Sequence, residues 1–168
     1  REYKMKKKEA KKLSKDEISK NIEKLKKDLL YFLTEVNSVK QTTSTVFAQV
    51  NSGFNHLIRP MLYGAQHSIE NISNPEGRER FYSVVGYICE TDTFANNRKI
   101  TEISEGDVLC FHNAGAYCFS MASNYNSRYR PAEVLWHNEE AHLIRQAESF
   151  DDLVKNQVVL DFKENVLT

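Results

Sequence analysis

Residues 34–50 read TEVNSVKQTTSTVFAQV, two runs rich in valine, threonine and phenylalanine that are joined by polar residues. β-Branched and aromatic residues favour strands because their side chains pack well on a pleated surface. The runs at residues 34–40 and 45–50 are therefore predicted to be strands. They mark the point at which the chain changes from a lysine-rich segment to a β domain.

Further strands are predicted downstream, each bounded by residues typical of turns. An apolar run occupies residues 81–89, and a shorter run at residues 108–111 follows the tight turn at residues 105–107. Residues 133–137 and 142–146 flank the sequence Asn-Glu-Glu, an arrangement that is typical of a β-hairpin. Short strands separated by frequent turns predict a mainly β fold, either a β-sandwich or a Greek-key barrel.

Helical and irregular segments are expected to be few. Residues 61–69 follow an Arg-Pro pair and are predicted to be short-helical or irregular, and residues 74–77 (NPEG) have the composition of a turn. Ser149 and Asp152 are spaced to cap a short helix. Residues 158–162 are expected to form a last strand or a tail.

The region before the β domain is predicted to be one amphipathic helix with a basic tail. Ser14 and Glu17 have the spacing of a capping box, and Ile18, Ile22, Leu25 and Leu29 then recur on one helical stripe. A helix over residues 15–31 is expected, preceded by a lysine cluster with little to bury. The chain is thus divided into residues 1–32, the tail and helix, and residues 33–168, the β domain.

The charge distribution follows the same division. The 168 residues carry 23 basic and 23 acidic side chains, which excludes a generally basic nucleic-acid binder. Residues 1–32 hold 12 basic and 6 acidic side chains, so residues 33–168 hold the remaining 11 and 17. Such an asymmetry indicates that the two segments have different roles.

Composition and cysteine usage indicate a cytoplasmic chain with reduced thiols. An apolar fraction of 40% is enough for a core, and no run approaches the ~20 apolar residues of a membrane span. Cys89, Cys110 and Cys118 are odd in number, lack CxxC spacing, and follow no signal peptide. Because the chain begins with Arg1 and not Met, we expect a fragment, a processed chain or a cut product.

Three segments carry side chains that could bind or react, although each alone is as readily explained by structure. Residues 59–63 (RPMLY) place an Arg and a Tyr four apart, a pair that can hold one anion. Residues 86–92 (GYICETD) put a thiol and two carboxylates at the end of an apolar strand. Residues 113–117 (NAGAY) let a phenol approach a ligand closely. The alternatives are a Pro-fixed turn with a surface Arg, a buried inert Cys beside a solvated Glu and Asp, and tight strand packing.

No generic motif for phosphate, dinucleotide or zinc binding occurs in the sequence. The five histidines lack metal-ligand spacing, so we expect surface or core imidazoles and no metal site. They are His56, His67, His112, His137 and His142.

Six segments in the acidic region together resemble the C-terminal β domain of diaminopimelate decarboxylase, a pyridoxal-phosphate enzyme of the alanine-racemase-like fold type. Each segment is weak evidence by itself, but all six occur in the family's order between residues 33 and 137. They are residues 55–63 (NHLIRPMLY), 85–92 (VGYICETD), 106–107 (GD), 114–117 (AGAY), 121–126 (MASNYN) and 130–135 (RPAEVL).

The resemblance implies a role for each candidate residue. Arg59 and Tyr63 would bind a carboxylate of meso-diaminopimelate, and Glu90 would bind its distal amino group. Cys89 would be presented across a homodimer interface into the neighbouring site as the proton donor. Tyr117 would lie near the cofactor, pyridoxal 5'-phosphate, and its phosphate group. A Glu and not an Asp after the cysteine favours diaminopimelate over ornithine or arginine.

The resemblance also implies a part that has no match in this sequence. The family holds its cofactor mainly in an N-terminal (β/α)8 barrel, with a Schiff-base lysine, a stacking histidine and a glycine-rich phosphate loop. Such a barrel needs roughly 250 residues, more than this whole chain. By resemblance the chain belongs to a carboxy-lyase, and alone it is predicted to be inactive. In the loop before Arg59, residues 51–53 (NSG) replace the Asp-Ala-Gly that is more usual in the family.

Three functions therefore compete. The first is a substrate-binding, dimer-completing domain of a diaminopimelate decarboxylase, which forms L-lysine and CO₂. The second is a non-catalytic partial homologue that binds and modulates a full-length decarboxylase. The third assigns the basic head to nucleic acid or an anionic membrane, but it has no interleaved aromatics and is better explained as a solvated helix face. We therefore expect neither nucleic acid nor membrane as a partner.

Overall fold

The computed structural model describes Ser14, Asp16, Glu17 and residues 30–90, 92–115 and 117–160. From residue 30 onward the described residues form eight strands and three short α-helices, and the chain has two compact units that divide between Ala122 and Ser123. In chain order the elements are β1 (Phe32–Gln41), β2 (Val46–Val50), α1 (Arg59–Tyr63), β3 (Ile69–Asn71), β4 (Glu79–Val85), β5 (Thr93–Thr101), β6 (Val108–Phe111), α2 (Cys118–Met121), a 3₁₀ turn (Tyr125–Ser127), β7 (Glu133–His137), β8 (Glu140–Arg145) and α3 (Phe150–Val154).

The first unit is built on a six-stranded sheet in the order β3-β6-β1-β2-β4-β5. All neighbouring pairs are antiparallel except β2 and β4, which are parallel. The two ends of the sheet approach each other, since the Asn71 amide on β3 donates a hydrogen bond of 2.9 Å to the Glu102 carbonyl just after β5. The mainly β prediction is confirmed, and the sheet is a nearly closed barrel.

The core lies inside this barrel because the strands alternate between buried and exposed side chains. Along the first half of β1, Phe32, Thr34 and Val36 are buried while the residues between them are exposed. The largest completely buried side chains are Tyr82, Phe111, Leu57 and Leu109. The Tyr82 hydroxyl accepts a hydrogen bond of 3.0 Å from the Ile103 N–H, so its polar end is satisfied within the core.

The second unit is formed by the β7–β8 hairpin and helix α3. The hairpin predicted at residues 133–137 and 142–146 is confirmed, although β8 begins at Glu140, so that the loop holds only Asn138 and Glu139. Both loop residues have positive φ, 51° and 65°, as a two-residue hairpin turn requires. The predicted cap of α3 is also confirmed, because Ser149 and Asp152 form a reciprocal capping box.

Two predicted boundaries were wrong. The helix expected over residues 15–31 does not include Leu30 or Tyr31, because the Leu30 carbonyl accepts the Ala114 N–H and the chain there already leads into β1. The capping box of Ser14 and Glu17 is present, and the body of that helix lies outside the described residues. The strand expected at 81–89 ends at Val85.

Two further predictions agree with the structure. Residues 61–63 are the end of α1, which begins at Arg59 because Pro60 suits the first turn of a helix, and residues 64–68 are irregular. Residues 158–160 form no strand, which agrees with the expected tail, and residues 161 and 162 lie outside the described part of the chain. The division into residues 1–32 and 33–168 stays a prediction.

Candidate functional site

Arg59 and Tyr117 are brought together in the first unit. The guanidinium carbon of Arg59 lies 5.7 Å from the centre of the Tyr117 ring, within the range of a cation–π contact. Arg59 begins α1 and is half-buried, and its Nε is buried without a hydrogen-bond partner. Tyr117 is 56% exposed, so its ring covers one side of the guanidinium while its own surface stays open. A buried guanidinium nitrogen with an unused proton is suited to binding an anion.

Tyr63 lies one turn after Arg59 on the same helix. Its side chain is 63% exposed, and α1 ends immediately after it because Gly64 adopts a left-handed conformation with φ of 64°. Residues four apart on a helix share a face, so the expected Arg and Tyr pair is compatible with the structure.

Cys89 and Glu90 form the second cluster, on the loop that follows β4. Both are exposed, and the Cys89 thiol donates a hydrogen bond of 3.4 Å to Oε2 of Glu90. The alternative of a buried, inert cysteine is therefore wrong. Asp92 is also not the solvated carboxylate of that alternative, because it is only 5% exposed. Thr91, between them, lies outside the described residues.

The loops that carry these side chains are tied to one another through the backbone. The Tyr87 N–H donates to the Ser52 carbonyl at 2.9 Å, which joins the segment before Arg59 to the segment before Cys89. The Cys118 thiol donates to the His56 carbonyl at 3.3 Å and so fixes the residue that follows Tyr117. All three motif-bearing loops therefore meet around residues 52–56.

Ser52 and His56 support this junction from within. Ser52 Oγ and His56 Nδ1 are hydrogen-bonded at 2.8 Å in a buried position, and the imidazole contacts the rings of Phe32 and Tyr87 edge-on. His56 is thus a core imidazole, as the spacing of the histidines predicts. No group of three or more metal-ligating side chains exists among the residues that the structure describes. Sequence analysis missed Ser52, His56 and Cys118 as supporting residues because their contacts join distant segments.

The small residues of the motifs have identifiable roles. A Cβ on Gly53 would lie 2.8 Å from the Ile88 side chain, and one on Gly115 would lie 2.3 Å from Leu30. The glycine before Tyr117 is therefore required by packing, the alternative raised from the sequence. Asn51, in the position where an aspartate was expected, accepts hydrogen bonds from the Thr34 hydroxyl and the Glu35 N–H. Although Asn51 differs from the family pattern, two hydrogen bonds still hold this loop to β1.

Burial shifts the pKa values of two other groups in the first unit, Asp92 and Cys110. Burial raises the pKa of the Asp92 carboxyl above its ordinary value, against the N–H groups of Ile88 and Phe54, which lower it. The third cysteine, Cys110, is buried in β6, and burial raises the pKa of its thiol to about 12. Cys110 is buried whereas Cys89 is exposed, so Cys89 is the more accessible thiol of the two.

Known proteins share this domain. Residues 27–115, more than half of the chain, match the family described as pyridoxal-dependent decarboxylase, C-terminal sheet domain. Diaminopimelate decarboxylase of Methanothermobacter thermautotrophicus is 47% identical over 135 residues, which is 79% of this chain and 31% of that protein. In the part of the chain that the structure describes, no helix has the length and apolar character to cross a bilayer.

Solved structures agree with the sequence match. The chain superimposes on diaminopimelate decarboxylase of M. jannaschii with a TM-score of 0.73 at 36% identity, over 77% of this chain and 30% of that one. A Helicobacter pylori diaminopimelate decarboxylase complexed with L-lysine gives 0.68 at 34% identity, over 74% and 31%. The chain thus spans about a third of the length of these relatives. By fold and sequence together, the chain belongs to the pyridoxal-dependent decarboxylases, of which it carries the C-terminal sheet domain.

Proposed function

We propose that this chain is the substrate-binding and dimer-completing domain of a diaminopimelate decarboxylase, the enzyme activity that converts meso-diaminopimelate to L-lysine and CO₂. The observation that carries the proposal is the pairing of half-buried Arg59 with Tyr117, on loops that are tied to the loop of Cys89 and Glu90. These are the residue types that a substrate with a carboxylate and an ammonium group requires.

Arg59 and Tyr63 bind the substrate carboxylate in this proposal. A guanidinium forms two parallel hydrogen bonds with a carboxylate, and a phenol adds one directional bond. The buried Nε of Arg59 has no hydrogen-bond partner within the described structure, so a bound carboxylate would satisfy it. Glu90, which is exposed, binds the distal ammonium group and thereby selects diaminopimelate over substrates without that group.

Cys89 supplies a proton after CO₂ has left. Its thiol is exposed and lies beside the Glu90 carboxylate, so it can reach a substrate outside its own domain. We propose that it does so across a homodimer interface, where it completes the site of the neighbouring protomer. A positioned general acid contributes typically 10²–10⁴-fold to a rate.

The described residues of this domain suit a contact with the phosphate of the cofactor and not its covalent attachment. Tyr117 offers an exposed phenol beside a guanidinium, which suits an anionic group such as a phosphate. Among the described residues, the lysines at positions 40, 99 and 155 all lie outside the three motif-bearing loops, so the described part of the chain provides no anchoring lysine at the site. Pyridoxal phosphate, when bound, supplies the electron sink for decarboxylation.

A chimera tests this proposal. The full chain replaces the matching third of the Methanothermobacter relative, and lysine formation from meso-diaminopimelate is measured with pyridoxal phosphate. We expect Arg59→Ala to raise KM by about 10- to 100-fold, because one charged contact to the substrate is lost. Arg78→Ala, an exposed residue just before β4, serves as the matched control and should leave KM unchanged. Failure of the wild-type chimera to form lysine would refute the proposed function.

The role of Cys89 is tested in the same chimera. Cys89→Ala should lower kcat by about 10²-fold or more with little change in KM. Mixing it with a chimera that lacks the anchoring lysine of the barrel should restore activity to about a quarter of the wild-type value, because half of the dimers then hold one complete site. If Cys89→Ala retains full kcat, or if mixing restores nothing, the assigned role is wrong.

The same chimera also addresses the alternative, a non-catalytic homologue that modulates a full-length decarboxylase. An inactive chimera, together with a change in the activity of the intact relative when the chain is added, would favour that alternative.

A further inference from the structure

One buried carboxylate links the two loops that carry the candidate site. Oδ1 of Asp92 accepts a hydrogen bond of 2.7 Å from the Phe54 N–H, and Oδ2 accepts one of 2.8 Å from the Ile88 N–H. Phe54 lies five residues before Arg59, whereas Ile88 directly precedes Cys89. The two oxygens of a single side chain therefore hold segments that are 34 residues apart in sequence.

The backbone around Asp92 strengthens this link. The Asp92 carbonyl accepts the Gly86 N–H at 2.8 Å, which closes the loop on itself. The bond from the Tyr87 N–H to the Ser52 carbonyl joins the same two segments. The two segments are therefore joined by a backbone hydrogen bond and by the two hydrogen bonds of the Asp92 carboxylate.

The cavity is shaped for an aspartate. A Cβ on Gly86 would lie 2.1 Å from Oδ2 of Asp92, and a Cβ on Gly53 would lie 2.9 Å from the same oxygen. Distances below 3 Å are too short for nonbonded atoms, so both glycines leave the space that the carboxylate occupies. An extra methylene at position 92 would not fit without displacing one of the loops.

Within the described residues no cationic side chain pairs with the Asp92 carboxylate, and a buried carboxylate of this kind is costly to fold. Asp92 is only 5% exposed, and the nearby Glu90 carboxylate carries the same charge. The two N–H groups offset part of the cost, but a neutral side chain could fill the space without it.

We propose that Asp92 is a positioning residue, which fixes the loop of Cys89 and Glu90 against the loop that leads into Arg59. The inference rests on the proposed function for its effect on catalysis, and on geometry alone for its effect on the loops. A misplacement of about 1 Å at a catalytic group can reduce activity about 10²-fold, so a link of this kind controls the rate without touching the substrate.

Amide hydrogen exchange in the full chain tests the link without any substrate. In Asp92→Asn one oxygen becomes an amide nitrogen, which cannot accept the N–H it faces. We expect exchange at the amide that faces the new nitrogen, Phe54 or Ile88, to accelerate about tenfold or more. Asp107→Asn is the matched control, because Asp107 is also 5% exposed and accepts the Ser104 N–H at 2.8 Å. It should leave the Phe54 and Ile88 amides unchanged.

Gly86→Ala provides a second route to the same link, for use if Asp92→Asn fails to fold. Its Cβ would occupy the position of Oδ2, so it should accelerate exchange at Ile88 in the same way. Unchanged exchange at Phe54 and Ile88 in whichever variant folds would overturn the proposal.

Kinetics in the chimera then test the positioning role. Asp92→Asn should reduce kcat/KM by about 10²-fold at a temperature at which both variants remain folded, with kcat lowered through Cys89 and KM raised through Glu90. Asp107→Asn should leave both constants near wild type, and equal kinetic losses in the two variants would overturn the positioning role. If the wild-type chimera forms no lysine, the proposed function fails, while the exchange result still decides whether Asp92 links the loops.

Discussion

Asp92 in the first unit and Glu148 in the second are both carboxylates that accept backbone hydrogen bonds, yet their pKa values move in opposite directions. Burial raises the pKa of Asp92, and Glu90 nearby adds to that rise, while two N–H bonds oppose it. Burial also disfavours the charged form of Glu148, but bonds from the Arg130 N–H and the Asn124 amide, with the charge of Arg130, bring its pKa below the ordinary value. The comparison indicates that additional hydrogen bonds and a nearby cation decide in which direction the pKa of a bonded carboxylate moves.

The two units also differ in how many apolar side chains they bury. In the first unit Leu57, Val84 and Leu109 are fully buried. In the second unit every residue of β8 is exposed, and Leu143 and Ile144 are each about 60% exposed. Apolar burial therefore contributes more to the free energy of unfolding in the first unit than in the second.

The largest expected effect lies in the core of the first unit. Leu57→Ala should lower the free energy of unfolding by about 2–5 kcal/mol, because it removes a fully buried side chain and leaves a cavity. Leu143→Ala, at 59% exposure on the hairpin, should change it by less than about 0.5 kcal/mol. Urea unfolding followed by far-UV circular dichroism measures both. Similar losses for the two variants would contradict the comparison.

The next effect concerns the polar contacts of the second unit. Glu148→Gln should lower the stability of this unit by about 1 kcal/mol, since it weakens bonds from Arg130 and Asn124 in a partly exposed setting. Glu133→Gln, which breaks the more exposed Arg145 pair, is the control and should cost about 0.5 kcal/mol or less. Trp136, the only tryptophan, reports on the hairpin by fluorescence. If Glu133→Gln lowers the stability of the hairpin more than Glu148→Gln does, this prediction is contradicted.

A gain in stability is expected from a substitution in the hairpin turn. Glu139 has a φ of 65°, a left-handed conformation that costs a side chain with a Cβ. Glu139→Gly should therefore stabilise the hairpin by about 0.5–1 kcal/mol. Glu140→Gly, one residue later in β8, should destabilise it by a similar amount, because glycine weakens a strand. Trp136 fluorescence during urea unfolding distinguishes the two, and a loss in both variants would show that the turn is not strained.

The smallest effect is a difference in pH dependence. The raised pKa of Asp92 means that its contribution to stability is present below about pH 4 and is lost as the pH rises through the folded value. The lowered pKa of Glu148 means the reverse: its contribution is present above about pH 4.3 and is lost as the pH falls. The stability advantage of wild type over Asp92→Asn should shrink from about pH 3 to 7, and that over Glu148→Gln should grow. Urea unfolding at several pH values measures both stability differences. If both change in the same direction with pH, the comparison is refuted.

Local patterns predicted much of the sheet. The alternating runs at residues 34–40 and 45–50, the strand at 108–111 and the hairpin are all present, because their signals lie within a few residues. Strands β3 and β5 were missed. β3 has only three residues, and β5 contains Asn96 and Asn97, of which the second has a φ of 49°. Their pairing depends on partners elsewhere in the sheet.

The sequence supplied the candidate residues of the site, whereas the contacts that support them could not be predicted. Arg59, Cys89, Glu90 and Tyr117 were selected from short motifs, and the structure gives two pairs among them. The burial of Asp92 could not be predicted, because it depends on the Phe54 N–H, 38 residues away in sequence. Long-range contacts of this kind leave no local pattern.

The backbone of Tyr117 has a consequence for protein engineering. Its φ of 66° is left-handed, a conformation that costs a residue with a Cβ about 1–2 kcal/mol and costs glycine nothing comparable. A library selected for heat resistance alone would therefore enrich glycine at this position. Each such clone would gain stability and lose the ring that covers Arg59, so a screen on this domain has to select for catalysis as well.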